Sequence, residues 1–171
     1  VLAELAASGK GAPKTVHFIL ASPWYVSQTR VFRYTKEKPF VTSQDFVTKL
    51  VSKEISEFEK IEFEKRRQVL AKENSVIEAK NMQIKLIGYE TKEPYDKRAT
   101  EIELSTFMSI SAKETINRFK ACVINRFHHD EIDFHTFLFA GYYFIHDILR
   151  ASGDFILMDI NGELTDVSVV R

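Results

Sequence analysis

Residues 159–167 read Asp-Ile-Asn-Gly-Glu-Leu-Thr-Asp-Val, a polar segment holding two aspartates and a glycine between the apolar runs Phe155-Ile156-Leu157-Met158 and Val167-Ser168-Val169-Val170. The pattern predicts strand, tight turn, strand. Carboxylates at the mouth of such a turn can hold Mg²⁺, usually through waters, while backbone N–H groups in the turn meet phosphate oxygens. Glycine permits the close backbone approach this needs. Asp159 closes the first strand, Gly162 sits in the turn, and Thr165 and Asp166 open the second strand. An ordinary hairpin tip accounts for the same residues, because Asn161-Gly162 is the dipeptide best suited to a type I′ turn. Both readings remain open at this level.

Two further stretches carry reactive side chains. His128, His129, Asp130, Glu131, Asp133 and His135 are ligand types for a metal, but they lie on one connection whose consecutive side chains diverge. No second cluster at ligand spacing accompanies them, so a solvated loop is expected. His17, His146 and Asp147 are expected in surface or core roles. The segment containing Trp24, Tyr25, Arg30, Phe32, Arg33 and Tyr34 interleaves aromatics with arginine, a composition that anchors protein partners or stacks on bases. Trp24 fits either an interface or the core beneath a hairpin.

The totals narrow the choices. Lys plus Arg and Asp plus Glu stand at 24 each, leaving no global electrostatic case for nucleic acid or an anionic membrane surface. Base stacking is therefore set aside, and a protein partner for Trp24, Tyr25, Arg30 and Arg33 is preferred. The hydrophobic share of 44% suffices for a core in a chain of 171 residues. One cysteine, Cys122, excludes an internal disulfide framework and is expected to be a small buried apolar residue on a helix. No apolar run reaches the roughly 20 residues that cross a bilayer, and no signal-peptide pattern opens the chain. A cytoplasmic location is expected.

The elements that would position these groups follow from periodicity. Residues 1–7 look like the tail of a helix, stopped by glycine and proline at 8–13. Strands are predicted over 16–20 and 27–34, as a hairpin or bent pair. A long helix begins after Thr42-Ser43-Gln44-Asp45, with Val47, Leu50, Val51, Ile55 and Phe58 on one face, and becomes charged and frayed before Asn74. Two long antiparallel strands are expected over 76–90 and 100–110, the second placing Ile102, Leu104, Thr106 and Met108 on one face and Glu101, Glu103 and Ser105 on the other. Ser111-Ala112-Lys113-Glu114 reads as a capping box before a helix through Phe127. A strand over 134–139, a helix opening at Ala140-Gly141 and running to Ala151, and the closing strand pair complete a β-β-α-β-β-α-β-α-β-β order, an α+β arrangement.

The stretch Phe155 to Val170 resembles the second phosphate-binding segment of the superfamily of actin, heat-shock chaperones and sugar kinases, where a buried strand runs into D-I-G-G-G-T-T-D. Asp159, Ile160, Gly162, Thr165 and Asp166 match, whereas Asn161, Glu163 and Leu164 depart from it. The preceding residues 137–149, Phe-Leu-Phe-Ala-Gly-Tyr-Tyr-Phe-Ile-His-Asp-Ile-Leu, are similar to the strand and helix at that point in bacterial division proteins of the FtsA type and in the pilus-assembly protein PilM. The resemblance implies an SHS2-like (1C) interaction domain over 15–130, flanked by the tail of an actin-like subdomain at 1–14 and a partial actin-like, ribonuclease H-like ATPase core at 131–171. It implies ATP and Mg²⁺ bound by the complete protein only, with Asp159 near the metal and Gly162, Thr165 and Asp166 near phosphate. No catalytic residue is assigned, and this segment by itself is expected neither to bind nor to hydrolyse ATP. The partners implied are proteins of a division or pilus assembly, with self-association possible and the membrane engaged only indirectly. Two alternatives stay in view: a fragment of a sugar- or acetate-kinase-like phosphotransferase sharing that core, and a free-standing α+β binding module.

Overall fold

The computed structural model describes residues 4, 13–65, 73–128, 130–150, 153–162 and 164–170. It is an α+β fold. The strands are β1 (Val16–Leu20), β2 (Val26–Val41), β3 (Asn74–Leu86), β4 (Tyr89–Glu90), β5 (Arg98–Ala112), β6 (Ile132–Thr136), β7 (Phe155–Ile160) and β8 (Thr165–Val170). The helices are α1 (Gln44–Lys65), α2 (Lys113–Phe127) and α3 (Phe137–Tyr143), the last continued by one wider turn at Phe144–Ile148. Except for Glu4, the helix tail expected over 1–7 lies outside the described residues, as do the end of the charged stretch at 66–72, His129 and Glu163.

The chain divides into two units, one built from Val1–Val26 and Ser111–Arg171 and the other from Ser27–Ile110. The second unit is a four-stranded sheet in the order β2-β5-β3-β4 with α1. Side-chain pairs Ser109 with Glu78, Thr106 with Asn81 and Lys85 with Glu103 run in opposite senses along β5 and β3, so these strands are antiparallel, as expected. Ser43 caps α1 by accepting a bond from the Phe46 amide at 3.3 Å, and the helix then presents Val47 and Val51 to a core made with Ile84, Ile102 and Leu104. Each such side chain taken out of water favours folding by roughly 1.5–3 kcal/mol. The alternation anticipated in β5 holds from Ile102 to Thr106, with Glu101, Glu103 and Ser105 less buried, but from Thr106 to Ser111 every residue is buried.

The irregular pattern of β3 has a definite cause. Ala79 faces the same core as Ile84 and Leu86, and a shift from odd to even positions requires one extra residue in the strand between Ala79 and Ile84. The β3–β4 connection is Ile87-Gly88, both at positive φ, 51° and 78°, with Leu86 opposite Tyr89. This is the type I′ pattern. A β-branched residue is strained there and Ile87 is 53% exposed, so little packing offsets the cost. Ile87→Asn is expected to stabilise this unit by about 1 kcal/mol, read from denaturant unfolding; a loss of stability would refute the strain argument.

The first unit contains two small sheets. β1 pairs in parallel with β6, Val16 opposite Ile132 through Leu20 opposite Thr136, while β7 and β8 form their own antiparallel ladder. The expected pairing of β1 with the following strand is therefore corrected: β1 joins a strand over a hundred residues later, and β2 joins β5. Phe18 carries this choice, stacking on Phe134 at 5.1 Å and meeting Phe119 of α2 at 5.2 Å. This pairing puts β1 and α2, both within the 15–130 span, into the unit containing β6 to β8.

Three local expectations are also corrected. Ser111 is no cap: β5 runs to Ala112, which occupies the N-cap position of α2 without a side-chain bond, while the buried Ser111 hydroxyl donates to the Trp24 carbonyl at 2.7 Å. The last helix opens at Phe137 rather than Ala140, because Thr136 caps it by accepting from the Phe139 amide at 3.3 Å. Cys122 is exposed, since α2 turns Ile116 and Val123 inward and the neighbouring position falls about 100° away. Cys122 is expected to react completely with a maleimide in the folded protein, at a rate close to that in denaturant; a large protection factor would show it covered.

Candidate functional site

The β7–β8 hairpin brings the resembling residues together. Asp159 and Asp166 are direct cross-strand partners, and Ile160 faces Thr165 at the mouth of the loop. Residues directly opposite in an antiparallel ladder share one face, with Cβ atoms roughly 4.5–5.5 Å apart. That face carries Phe155, Leu157 and Asp159 on β7 and is the more buried one. Asp159 is only 8% exposed, and its Oδ2 accepts a bond from Asn161 Nδ2 at 2.9 Å. Asp166 Oδ2 is enclosed and has no hydrogen-bond partner. Two carboxylates, one per strand, with an unsatisfied enclosed oxygen, fit the donor set of a Mg²⁺ ion that keeps most of its waters.

The loop itself departs from the simple hairpin tip. The Asn161 amide donates to the Leu164 carbonyl at 2.9 Å, closing the turn, and Gly162 does not take the positive φ that a type I′ turn demands of it. A Cβ at Gly162 would meet nothing within 4 Å, so the backbone there stands open to an approaching group. Support from behind comes from α3. Gly141 lets the helix approach β7 so closely that a Cβ there would lie 3.1 Å from a Leu157 methyl, and Tyr142 stacks on Phe155 at 6.3 Å. Burial, and then the Asp147 carboxylate, raise the Tyr142 hydroxyl above its ordinary pKa, so it stays a neutral donor near this support.

On its other side the hairpin is bare. Ile156, Met158, Ile160, Val167 and Val169 are all more than half exposed. Periodicity predicted the strands but could not show which face would be covered.

The expected partner residues have separate fates. In the first unit Tyr25 is buried, and Trp24 is 54% exposed with its ring edge-on to Phe119 at 5.9 Å. In the second unit Arg30 pairs with Glu54 at 3.0 Å, and Arg33 reaches Glu103 at 2.6 Å and Glu101 at 3.7 Å on the polar face of the sheet. Lys85 joins Glu103 from β3 at 3.3 Å. The bond from Arg33, and then that from Lys85, hold the Glu103 carboxyl below its ordinary 4.5, while Glu103 raises the Arg33 guanidinium. A carboxyl lowered in the folded state contributes stability above its unfolded value and loses it as pH falls through the folded one. Glu103→Gln should therefore flatten the fall in stability below pH 4.5 and reduce its salt dependence, with little change at neutral pH. An unchanged acid limb would contradict this assignment.

Among the described residues no group of three or more His, Cys, Asp or Glu side chains is arranged to hold a metal ion. The His128 to His135 segment is split by the fold, His128 ending α2 in a left-handed conformation and Asp133 and His135 lying on β6. No described helix is long and apolar enough to cross a membrane. No protein-family model matches this chain, and no curated protein matches it.

Proposed function

We propose that this chain is an interaction and assembly part of an actin-family protein of the FtsA or PilM type, which positions protein neighbours in a division or pilus assembly. The observation that carries the reading is the order of the chain. The first unit is begun, interrupted by Ser27–Ile110, and resumed at Ser111, the connectivity of a guest domain inserted in a host. Such insertion is the placing of a 1C-type domain in that family. The β7–β8 hairpin adds support through its paired carboxylates and open Gly162, where Asp159 would stand nearest Mg²⁺ and Gly162, Thr165 and Asp166 nearest phosphate. Bound there, Mg-ATP would supply a charged switch between host conformations. The chain's own part is to hold two carboxylates across a strand pair, backed by α3. The bare apolar side of the hairpin also suits an element of a larger ATPase core covering it.

The test is calorimetry with Mg-ATP on this chain and on a longer version carrying its natural flanking sequence. The longer protein should bind and the present chain should not; tight binding by this chain, or none by the longer one, overturns the proposal. Replacing Ser27–Ile110 by a short linker in the longer protein should keep nucleotide binding and lose assembly with neighbours.

A further inference from the structure

The strand pairing that the sequence did not reveal creates a second constellation, far along the chain from the hairpin loop. His17 on β1 and Asp133 on β6 are register partners, and His135 stands opposite Ile19, so His17, Asp133 and His135 share one face of the parallel pair. His17 Nδ1 lies 3.3 Å from His135 Nε2 and 3.5 Å from Asp133 Oδ2. The ring centroids are 5.5 Å apart and the planes nearly parallel, at 25°, a stacked arrangement in which one nitrogen of each ring meets the other. About half of the His17 and Asp133 side chains is open to solvent.

We propose that His17 and His135 form a two-histidine clip for a divalent transition-metal ion, with Asp133 as the adjacent anionic group and water filling the rest of the shell. Donors bound at about 2.1 Å in a tetrahedron are separated by roughly 3.4 Å, close to the spacing already present between the two nitrogens. At rest one ring donates its N–H to the other; the ion takes the place of that proton, which moves to the remaining nitrogen of the same ring, and each ring turns to aim its lone pair at the metal. Because imidazole binds a metal only through an unprotonated nitrogen, loading is favoured as pH rises. Two imidazoles with a nearby carboxylate select copper, nickel and zinc over magnesium or calcium, which prefer all-oxygen shells. The two ligands stand on different strands, so the ion ties Val16–Leu20 to Ile132–Thr136 across 118 residues of chain. Asp133, 3.5 Å from His17 Nδ1, adds negative charge beside the pair rather than a third ligand, and among the described residues no group of three or more ligand side chains is arranged to hold a metal ion.

The probes are Ni²⁺ by calorimetry and Cu²⁺ by electron paramagnetic resonance, on the full 171-residue chain. One equivalent should bind, the copper spectrum should show coupling to two nitrogens, and melting should shift upward with metal as it does for any ligand that binds only the folded state. His17→Gln and His135→Gln should each weaken binding by at least the roughly 10–100-fold seen when known sites lose a supporting partner, and abolish the melting shift. Both variants are checked without metal by circular dichroism, and His17→Gln, at a half-exposed position, keeps the test alive if His135→Gln does not fold. His146→Gln should bind as the parent does. Parent-like binding by His17→Gln, or loss of binding only when His128 and His129 are replaced together, overturns the proposal.

Discussion

Leu104→Ala is expected to destabilise the second unit by about 2–5 kcal/mol, with a large fall in the denaturant midpoint and little change in slope. Leu104 is fully buried on β5, the strand hydrogen-bonded to both β2 and β3, and it packs with Val47 and Val51 of α1, with Ile84 and with Ile102. Removing its side chain forfeits the transfer free energy of the lost methyl groups and leaves a cavity that cannot readily collapse. A backbone held by ladders on both sides moves little, and the surrounding Phe32, Tyr34 and Phe46 are themselves fixed by packing: Tyr34 and Phe46 meet at 5.1 Å. Ser105, the next residue, turns to the other face of the same strand. Ser105→Ala should stay within about 0.5 kcal/mol of the parent. A small effect at Leu104 with a large one at Ser105 would mean that β5 sits one residue out of register and that the core described above is inverted.

That contrast also marks what the sequence made legible. Alternation in β5 names its inward residues from sequence alone, because a half-covered strand imposes a period of two on side-chain burial. The beginning of α1 was readable from Thr42 and Ser43, and Ser43 is the residue that caps it. Local signals failed where a distant group outbid a near one. Ser111 had the spacing of a cap, but its hydroxyl donates to the Trp24 carbonyl, which lies 87 residues earlier in the sequence. β1 had no local cue for a parallel partner 116 residues away, since parallel pairing leaves no turn signature. For the same reason the His17–His135 contact is invisible in the sequence: the spacing within the histidine-rich segment carries no sign of a companion 118 residues away. Cys122 shows the smaller error of assigning burial from residue type when the helix phase decides it. At the hairpin, the residue types and their order were legible, and the cross-strand register of Asp159 with Asp166 follows from loop length; the enclosure of an Asp166 oxygen depends on packing around it.

Asp166→Asn should raise stability by about 1–3 kcal/mol in the absence of divalent cation, an unusual sign for a substitution in an enclosed position. Like charges directly opposite in a ladder oppose pairing, and here the pair sits on the more buried face of a hairpin only two strands wide. The Asn161 amide serves Asp159 Oδ2, and nothing serves Asp166 Oδ2. An asparagine removes one of the two charges and brings an N–H₂ group able to donate to Asp159 without changing volume. Asp154→Asn, an exposed carboxylate just before β7, is the control and should change little. If the pair exists to hold a cation, the same substitution must act oppositely on a second readout. In the longer protein carrying its natural flanking sequence, millimolar Mg²⁺ should raise the melting temperature and leave its Asp166→Asn variant unmoved, because only the unsubstituted protein offers two carboxylates to the ion. A stability gain with loss of the Mg²⁺ response is the signature of a site held against its own stability for the sake of binding. A loss of stability in Asp166→Asn would instead give that carboxylate a structural partner and remove the cation from the hairpin.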